Sequence, residues 1–198
     1  MFGVKLIKAT EQQHYQDFID ESLCSIHSED YLKNNDVYIL YKKGEAIGGF
    51  VYGMGGKLKS IEAVKSAEVR QRCYEQFQDI KVAEITTFWL KKEYRKTWIS
   101  RALWFSIAIK TYWGKADYYI FATTKTSLRR SMDYPSCCFE FLTAESIDAY
   151  RDKFCYGFIV ERRKTIWGML QGIFGFISKP SQPRKKSHQL DRFRIHNS

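Results

Sequence analysis

Residues 83–103 read AEITTFWLKKEYRKTWISRAL, and this stretch decides the fold. Its first eight residues, ending at Leu90, are rich in β-branched and aromatic side chains and predict a strand too apolar for a sheet edge. Charged residues follow, and the run from Trp98 to Trp113 is apolar nearly all round, which predicts a buried helix. The N–H groups at the start of that helix would lie just beyond the strand end. Such a place favours anions, because the helix dipole and the N–H groups both attract negative charge.

The rest of the chain alternates strands and helices around this stretch. Before it, the patterns predict a strand over 4–7, a helix over 10–23, a hairpin over 37–52 and an inserted amphipathic helix over 61–78. After it, they predict strands over 118–122, 138–142 and 154–160, with a helix over 144–153. Gly48 and Gly49 indicate a bulge or a close backbone approach. The order predicts an α/β fold with a single mixed, mostly antiparallel sheet of about six to seven strands flanked by helices.

Composition limits the class of protein. The 198 residues are 44% hydrophobic and 16% aromatic, which is enough apolar material for a core and excludes extended disorder. Lys and Arg number 32 against 22 for Asp and Glu, a net charge of +10. Residues 161–198 hold nine basic and two acidic side chains, so the first 160 residues carry only +3. The basic character is therefore mostly a property of the C-terminal tail.

The cysteines show no metal-binding pattern. Cys24, Cys73, Cys137, Cys138 and Cys155 include no CxxC pair and no Cys/His spacing, so no metal site is predicted. The first ten residues hold only a short apolar run, which does not fit a secretory leader. A cytoplasmic location with reduced thiols is expected, with peripheral contact at the inner face of the membrane as an extension of it.

The stretch from Leu90 to Leu103, LKKEYRKTWISRAL, resembles the acyl-CoA signature of the GNAT superfamily of N-acyltransferases. In that signature a hydrophobic strand end precedes a Pro/Glu/Tyr-like turn, the pattern Arg/Gln-x-x-Gly-x-Gly/Ala, and a helix. The order of strands and helices over residues 1–160 is also similar to that of the family. The two glycine positions of the signature hold Trp98 and Ser100 in this chain.

The resemblance implies a donor site at the strand end and the following loop. Leu90 would end a strand that pairs with the pantetheine chain. The loop that would hold the coenzyme pyrophosphate consists of Arg95, Lys96, Thr97, Trp98, Ile99, Ser100 and Arg101. The implied donor is acetyl-CoA or another acyl-CoA. The alternative donor is the phosphopantetheine of an acyl carrier protein, which lacks the adenosine diphosphate and would depend less on the missing glycines.

The resemblance also implies an acid and a base. Glu84 matches the position where one branch of the family keeps its general base; the alternative is a strand glutamate at the solvent edge or paired with a lysine. Tyr134, with Ser131 as a competitor, matches the place of the acid that protonates the departing thiolate. The implied reaction is direct transfer of an acyl group from a thioester to an amine, with no covalent intermediate.

The C-terminal region leaves several partners open. Residues 165–177, TIWGMLQGIFGFI, are too few to span a bilayer, which takes about 20 residues. An interfacial membrane anchor, a homodimer-forming helix, and a strand with a loop that completes the sheet are the alternatives. Residues 179–198 are predicted to be flexible and basic, able to contact anionic lipid or nucleic acid.

The predicted organisation is an acyltransferase domain over 1–160 with a helical insertion at 57–80, an apolar segment over 161–178 and a tail over 179–198. Because a tryptophan replaces a glycine in the donor loop, a second function stays open. In it, the chain is a catalytically degenerate GNAT-like module that acts as a membrane- or nucleic-acid-associated interaction protein.

Overall fold

The computed structural model describes residues 3–22, 29–126, 129, 138–147, 154–168 and 193–195. The strands in these ranges are β1 (Val4–Lys8), β2 (Asp36–Lys42), β3 (Glu45–Met54), β4 (Val82–Leu90), β5 (Tyr118–Thr123), β6 (Cys138–Glu145) and β7 (Phe154–Glu161). The helices are α1 (Gln12–Ser22), α2 (Glu29–Lys33), α3 (Lys59–Glu62), α4 (Ala67–Phe77) and α5 (Trp98–Tyr112). The strands form one sheet in the order β1-β2-β3-β4-β5-β7-β6. This confirms the predicted mixed sheet flanked by helices.

The chain divides into two compact units, and the first comprises Met1–Met54 and Glu84–Trp104. Its strands β1, β2 and β3 pair antiparallel, and β2 turns into β3 at Lys43 and Gly44, whose φ angles of 53° and 85° are typical of a two-residue hairpin turn. A methyl group on Gly49 would lie 2.5 Å from the backbone oxygen of Tyr38, so the predicted close approach is present. The buried core of this unit is formed by Ala9, Phe18, Leu32, Val37, Ile39, Ala46 and Val51.

The second unit comprises Gly55–Ala83 and Phe105–Ser198. Here β7 pairs antiparallel with both β5 and β6, and α3 and α4 supply apolar side chains to the same core. Phe193 and Ile195 also belong to this core, and the Ile195 N–H donates to the Phe141 carbonyl at 2.8 Å. The prediction of a flexible tail is therefore wrong for residues 193–195, because two apolar side chains there reach the core.

The predicted helix over 144–153 is wrong for its first four residues. β6 continues to Glu145, which pairs with Phe154, and Ser146 forms a bridge with Val64. Ala144, Glu145 and Ser146 suit a helix locally, yet pairing with β7 and with the segment after α3 overrides that preference. Residues 148–153 lie outside the described part.

The inserted helical region is two helices rather than one. α3 ends at Glu62, and Ser66 begins α4 as a separate N-cap, since its side chain accepts the N–H of Val69 at 3.3 Å. α2 has only five residues and no clear apolar period, and the sequence pattern did not predict it.

Candidate active site

Leu90 ends β4 in a tightly packed position of the first unit. Its side chain is buried, and a methyl group on Gly48 would lie only 2.8 Å from Leu90 Cδ1. The next residue, Lys91, donates its N–H to the Ile47 carbonyl at 2.9 Å, and its ammonium group contacts Glu21 and Glu45 at 2.7 Å each. Hydrogen bonds from the Lys91 ammonium to both carboxylates raise the pKa of Lys91. The end of the strand is thus fixed by packing and by ion pairs.

The loop from Lys91 to Thr97 is short and ordered by its own hydrogen bonds. Lys92–Tyr94 form a turn of 3-10 helix, and the Arg95 Nε donates to the Leu90 carbonyl at 2.9 Å. Lys96 adopts a φ of 68°, a left-handed conformation that is uncommon for a lysine. The backbone therefore turns sharply just before α5 without the help of a glycine.

Thr97 is the N-cap of α5. Its hydroxyl accepts the N–H of Ile99 at 3.2 Å, and its carbonyl accepts the N–H of Arg101 at 3.4 Å. Within the described ranges, the N–H groups of Lys96, Trp98 and Ser100 have no hydrogen-bond partner. Backbone donors at a helix N-terminus, beside the exposed cations Lys96 and Arg101, are suited to an anion.

The indole of Trp98 does not bury itself at the helix start. Its side chain is 51% exposed on the first turn of α5. The N-cap at Thr97 determines the direction of the first N–H groups of the helix. A tryptophan at this position therefore keeps the same backbone donor that a glycine would have. The other aromatic residue of this half of the helix, Trp104, stacks on Phe88 with ring centroids 4.4 Å apart.

A second strained residue lies within β4. Thr87 has a φ of 48°, although a β-branched residue in this region is a conformational outlier that costs about 1–3 kcal/mol. Thr87 lies three residues before Leu90. Strain of this kind is concentrated at functional sites. No feature of the sequence signals it, because threonine is an ordinary strand residue.

Glu84 is almost fully enclosed, with 1% of its surface exposed. The Tyr31 hydroxyl donates to Glu84 Oε1 at 2.6 Å and lies 3.2 Å from Thr86 Oγ1. A methyl group on Gly53 would lie 3.1 Å from Glu84 Cγ. Burial to this degree contradicts the solvent-edge alternative for this glutamate. Burying a carboxylate costs free energy unless it is hydrogen-bonded, and the Tyr31 hydroxyl provides that hydrogen bond.

Tyr31 is a site residue that the sequence did not reveal. It lies 53 residues before Glu84, on the short helix α2, and the Asn35 side chain donates to its carbonyl at 2.7 Å. The remaining predicted residue, Tyr134, and its competitor Ser131 lie outside the described residues.

The described residues also bear on metal binding, on the cysteine thiols and on membrane-spanning helices. Among the described residues there is no cluster of three or more His, Cys, Asp or Glu side chains that suits a metal ion. Burial raises the pKa of Cys73 to about 12 and that of Cys155 to about 11.

Each helix among the described residues falls short of the length and apolarity that a membrane span requires.

Neither the family models nor the curated proteins give a sequence match to this chain. Solved structures do match it. FeeM, an N-acyl amino acid synthase from uncultured soil microbes, superposes with a TM-score of 0.63 at 9% identity, over 86% of this chain and 97% of FeeM.

Two further structures have the same architecture. A GNAT family acetyltransferase from Elizabethkingia anophelis, solved with acetyl-CoA, has a TM-score of 0.56 at 11% identity, over 81% of this chain and 99% of its own. Arabidopsis thaliana Naa50, solved with the bisubstrate analogue CoA-Ac-MVNAL, has a TM-score of 0.53 at 11% identity, over 79% of this chain and 97% of its own. This chain therefore has the GNAT fold, as the stretch around Leu90 predicted.

Proposed function

We propose that this protein is an N-acyltransferase that moves an acyl group from a thioester donor to an amine. The GNAT fold supports the proposal, and the observation that carries it is the start of α5. There, the N–H groups of Trp98 and Ser100 lack a partner among the described residues, and Lys96 and Arg101 add positive charge. A pyrophosphate is bound well by backbone donors and cations together; here the helix N-terminus provides the donors, and Lys96 and Arg101 provide the cations.

The donor is an acyl-CoA. The loop from Arg95 to Arg101 would hold its pyrophosphate, and β4 up to Leu90 would pair with the pantetheine chain. The structures from Elizabethkingia anophelis and Arabidopsis thaliana contain acetyl-CoA and a CoA-linked analogue, which supports this donor class. An acyl carrier protein would deliver the same thioester without a pyrophosphate, so it would leave these N–H groups unused.

The reaction needs one base and one acid. The amine nitrogen attacks the thioester carbonyl carbon, the carbon–sulfur bond breaks, and the products are an amide and a free thiol. Glu84 accepts the proton that the nitrogen loses, through a water molecule or the Tyr31 hydroxyl, which already hydrogen-bonds it at 2.6 Å. Tyr134 is the proposed donor of the proton that the departing thiolate takes up. No step requires a covalent acyl-enzyme.

The acceptor is an amine. FeeM is an N-acyl amino acid synthase, and the Naa50 structure holds a peptide analogue. An α-amino group, on a free amino acid or on a peptide, is therefore the first class of acceptor to test. The alternative of a catalytically degenerate module rested on Trp98 in place of a glycine, and the unpartnered N–H groups of Trp98 and Ser100 among the described residues support the transferase instead.

The donor site is tested by two substitutions at one residue. Trp98→Pro removes the N–H at the first helical position, where proline is well tolerated, and Trp98→Ala removes only the side chain. Loss of a hydrogen bond to a charged group predicts coenzyme A affinity about 10- to 100-fold weaker for Trp98→Pro, measured by native mass spectrometry and thermal shift. Equal affinities of the two variants would refute the backbone site.

The donor class and the chemistry have separate readouts. Coenzyme A, acetyl-CoA, a long-chain acyl-CoA and an acylated carrier protein are compared for binding to the full chain. Thiol release is then followed with a panel of α-amino acceptors. Glu84→Gln should lower turnover about 10²- to 10⁴-fold while coenzyme A binding is retained. If only the acylated carrier protein binds, the donor is the carrier protein and not acyl-CoA. Full turnover by Glu84→Gln would show that Glu84 is not the base.

A further inference from the structure

Large aromatic side chains are exposed at one place in the second unit. Trp113 is 78% exposed just after α5, and Phe105 and Tyr112 are 40% and 39% exposed on the helix itself. Phe105 and Tyr112 are seven residues apart, so they lie on the same face of α5. Exposed aromatic residues that share a face indicate a binding surface, whereas single ones do not.

The segment after β7 extends this surface. The Arg162 guanidinium donates to the Gly114 carbonyl at 3.0 Å, and its N–H donates to the Asp117 carbonyl at 2.9 Å. These bonds bring the start of this segment against the end of α5. Five residues after Arg162, Trp167 is 65% exposed. We call the four exposed rings of these two neighbouring segments the aromatic patch: Phe105, Tyr112, Trp113 and Trp167.

Basic side chains outnumber acidic ones in the two segments that carry the aromatic patch. Residues 105–117 and 161–168 carry five cations and two carboxylates. Lys110, Lys115 and Arg163 are exposed. One of the two carboxylates, on Glu161, is paired with Lys164 at 2.6 Å. With the exposed carboxylate of Asp117 included, the two segments that carry the aromatic patch still have a net charge of +3.

We propose that the aromatic patch docks this protein on a bilayer that contains anionic phospholipid. Tryptophan and tyrosine favour the headgroup region, and basic side chains beside them bind anionic headgroups. A second copy of the chain would place these cations against one another, which disfavours self-association. The sequence after Gly168, MLQGIFGFI, contains no charge, and such a sequence suits hydrocarbon better than a nucleic acid. This proposal does not depend on the proposed acyl transfer.

The test is flotation of the full chain with vesicles of phosphatidylcholine alone and with about 30% phosphatidylserine. We expect binding to the anionic vesicles that weakens in 0.5 M salt, since the Debye length at that salt concentration is only about 4 Å. Lys110→Gln with Lys115→Gln should weaken binding about 25-fold, since each lost cation costs about fivefold. Trp113→Ala with Trp167→Ala should weaken it at least about tenfold.

Matched controls separate this surface from general stickiness. Phe154→Ala removes an aromatic ring that is 44% exposed at the opposite end of β7, about 23 Å away along the strand. Lys57→Gln removes an exposed cation elsewhere in the second unit. Both should bind like the wild type, and circular dichroism checks that all variants are folded. A direct measurement is quenching of Trp113 fluorescence by brominated lipid, which Trp113→Phe should reduce.

Three outcomes would overturn the proposal. One is equal vesicle binding by the wild type and both double variants, which would assign binding to another part of the chain. Another is a dimer in light scattering that the Trp113 and Trp167 substitutions dissociate. The third is retention of a single-stranded nucleic acid, but not of vesicles, that is lost in the same variants.

Discussion

The hydrogen bond between Tyr31 and Glu84 yields a prediction that does not require the substrate. Tyr31→Phe removes the hydroxyl that donates to a carboxylate at 2.6 Å, and Glu84 is 1% exposed, so water does not readily replace the lost donor. Hydrogen bonds to charged groups contribute about 1.5–3 kcal/mol. For a chain of this length, a loss of about 2 kcal/mol corresponds to a fall in Tm of about 4–8 °C. Urea unfolding measures the free energy directly.

A double-mutant cycle isolates this interaction from the loss of packing. In the Glu84→Gln background the acceptor is neutral, so Tyr31→Phe should cost only about 1 kcal/mol. The matched control is Tyr15→Phe, because the Tyr15 hydroxyl donates to the neutral Ala9 carbonyl at 3.3 Å. The control should cost less than about 1 kcal/mol. Equal costs for Tyr31→Phe and Tyr15→Phe, or an equal cost in both Glu84 backgrounds, would refute the argument.

Three further predictions concern other parts of the fold. Gly157→Ala would place a methyl group 2.9 Å from the Phe141 ring and should lower the free energy of unfolding in urea by about 1–3 kcal/mol. Cys73 and Cys155, whose burial raises their pKa values to about 12 and 11, should escape iodoacetamide at pH 8 in the folded protein but not in urea, as mapped by mass spectrometry. The Tyr41 hydroxyl lowers the pKa of Asp17 from 3.8, so this stabilisation is present above that pH and is lost as the pH falls through the lowered folded value. Tyr41→Phe should therefore destabilise the protein more at pH 7 than at pH 3.

The sheet was predictable because its strands follow local patterns. The β4 run ending at Leu90 and the hairpin around Gly44 each combine β-branched or aromatic residues with a turn signal, and the structure has both. The tail was mispredicted for a physical reason. Phe193 and Ile195 are isolated apolar residues in a basic stretch, and only the packed core around Phe141 shows that there is a place for them.

The candidate site was predictable only in part. The resemblance to the GNAT superfamily pointed to Glu84, whereas nothing in the sequence pointed to Tyr31, because the contact is made by packing between residues 53 positions apart. The left-handed conformations of Thr87 and Lys96 are also invisible in the sequence, since neither residue type favours them. A sequence pattern identifies side chains, and these features belong to the backbone.

The donor loop shows the difference between a residue pattern and the geometry that the pattern usually marks. Glycine is common where a backbone must turn sharply and approach a phosphate. Here Lys96 makes the turn with a φ of 68°, Thr97 caps the helix, and the indole of Trp98 remains exposed. Within the described ranges the N–H groups of Trp98 and Ser100 lack a hydrogen-bond partner. The backbone donors that glycines usually accompany in this loop are therefore present although the loop contains no glycine. The comparison of Trp98→Pro with Trp98→Ala tests this point directly, because only the first substitution removes a donor while both remove the indole.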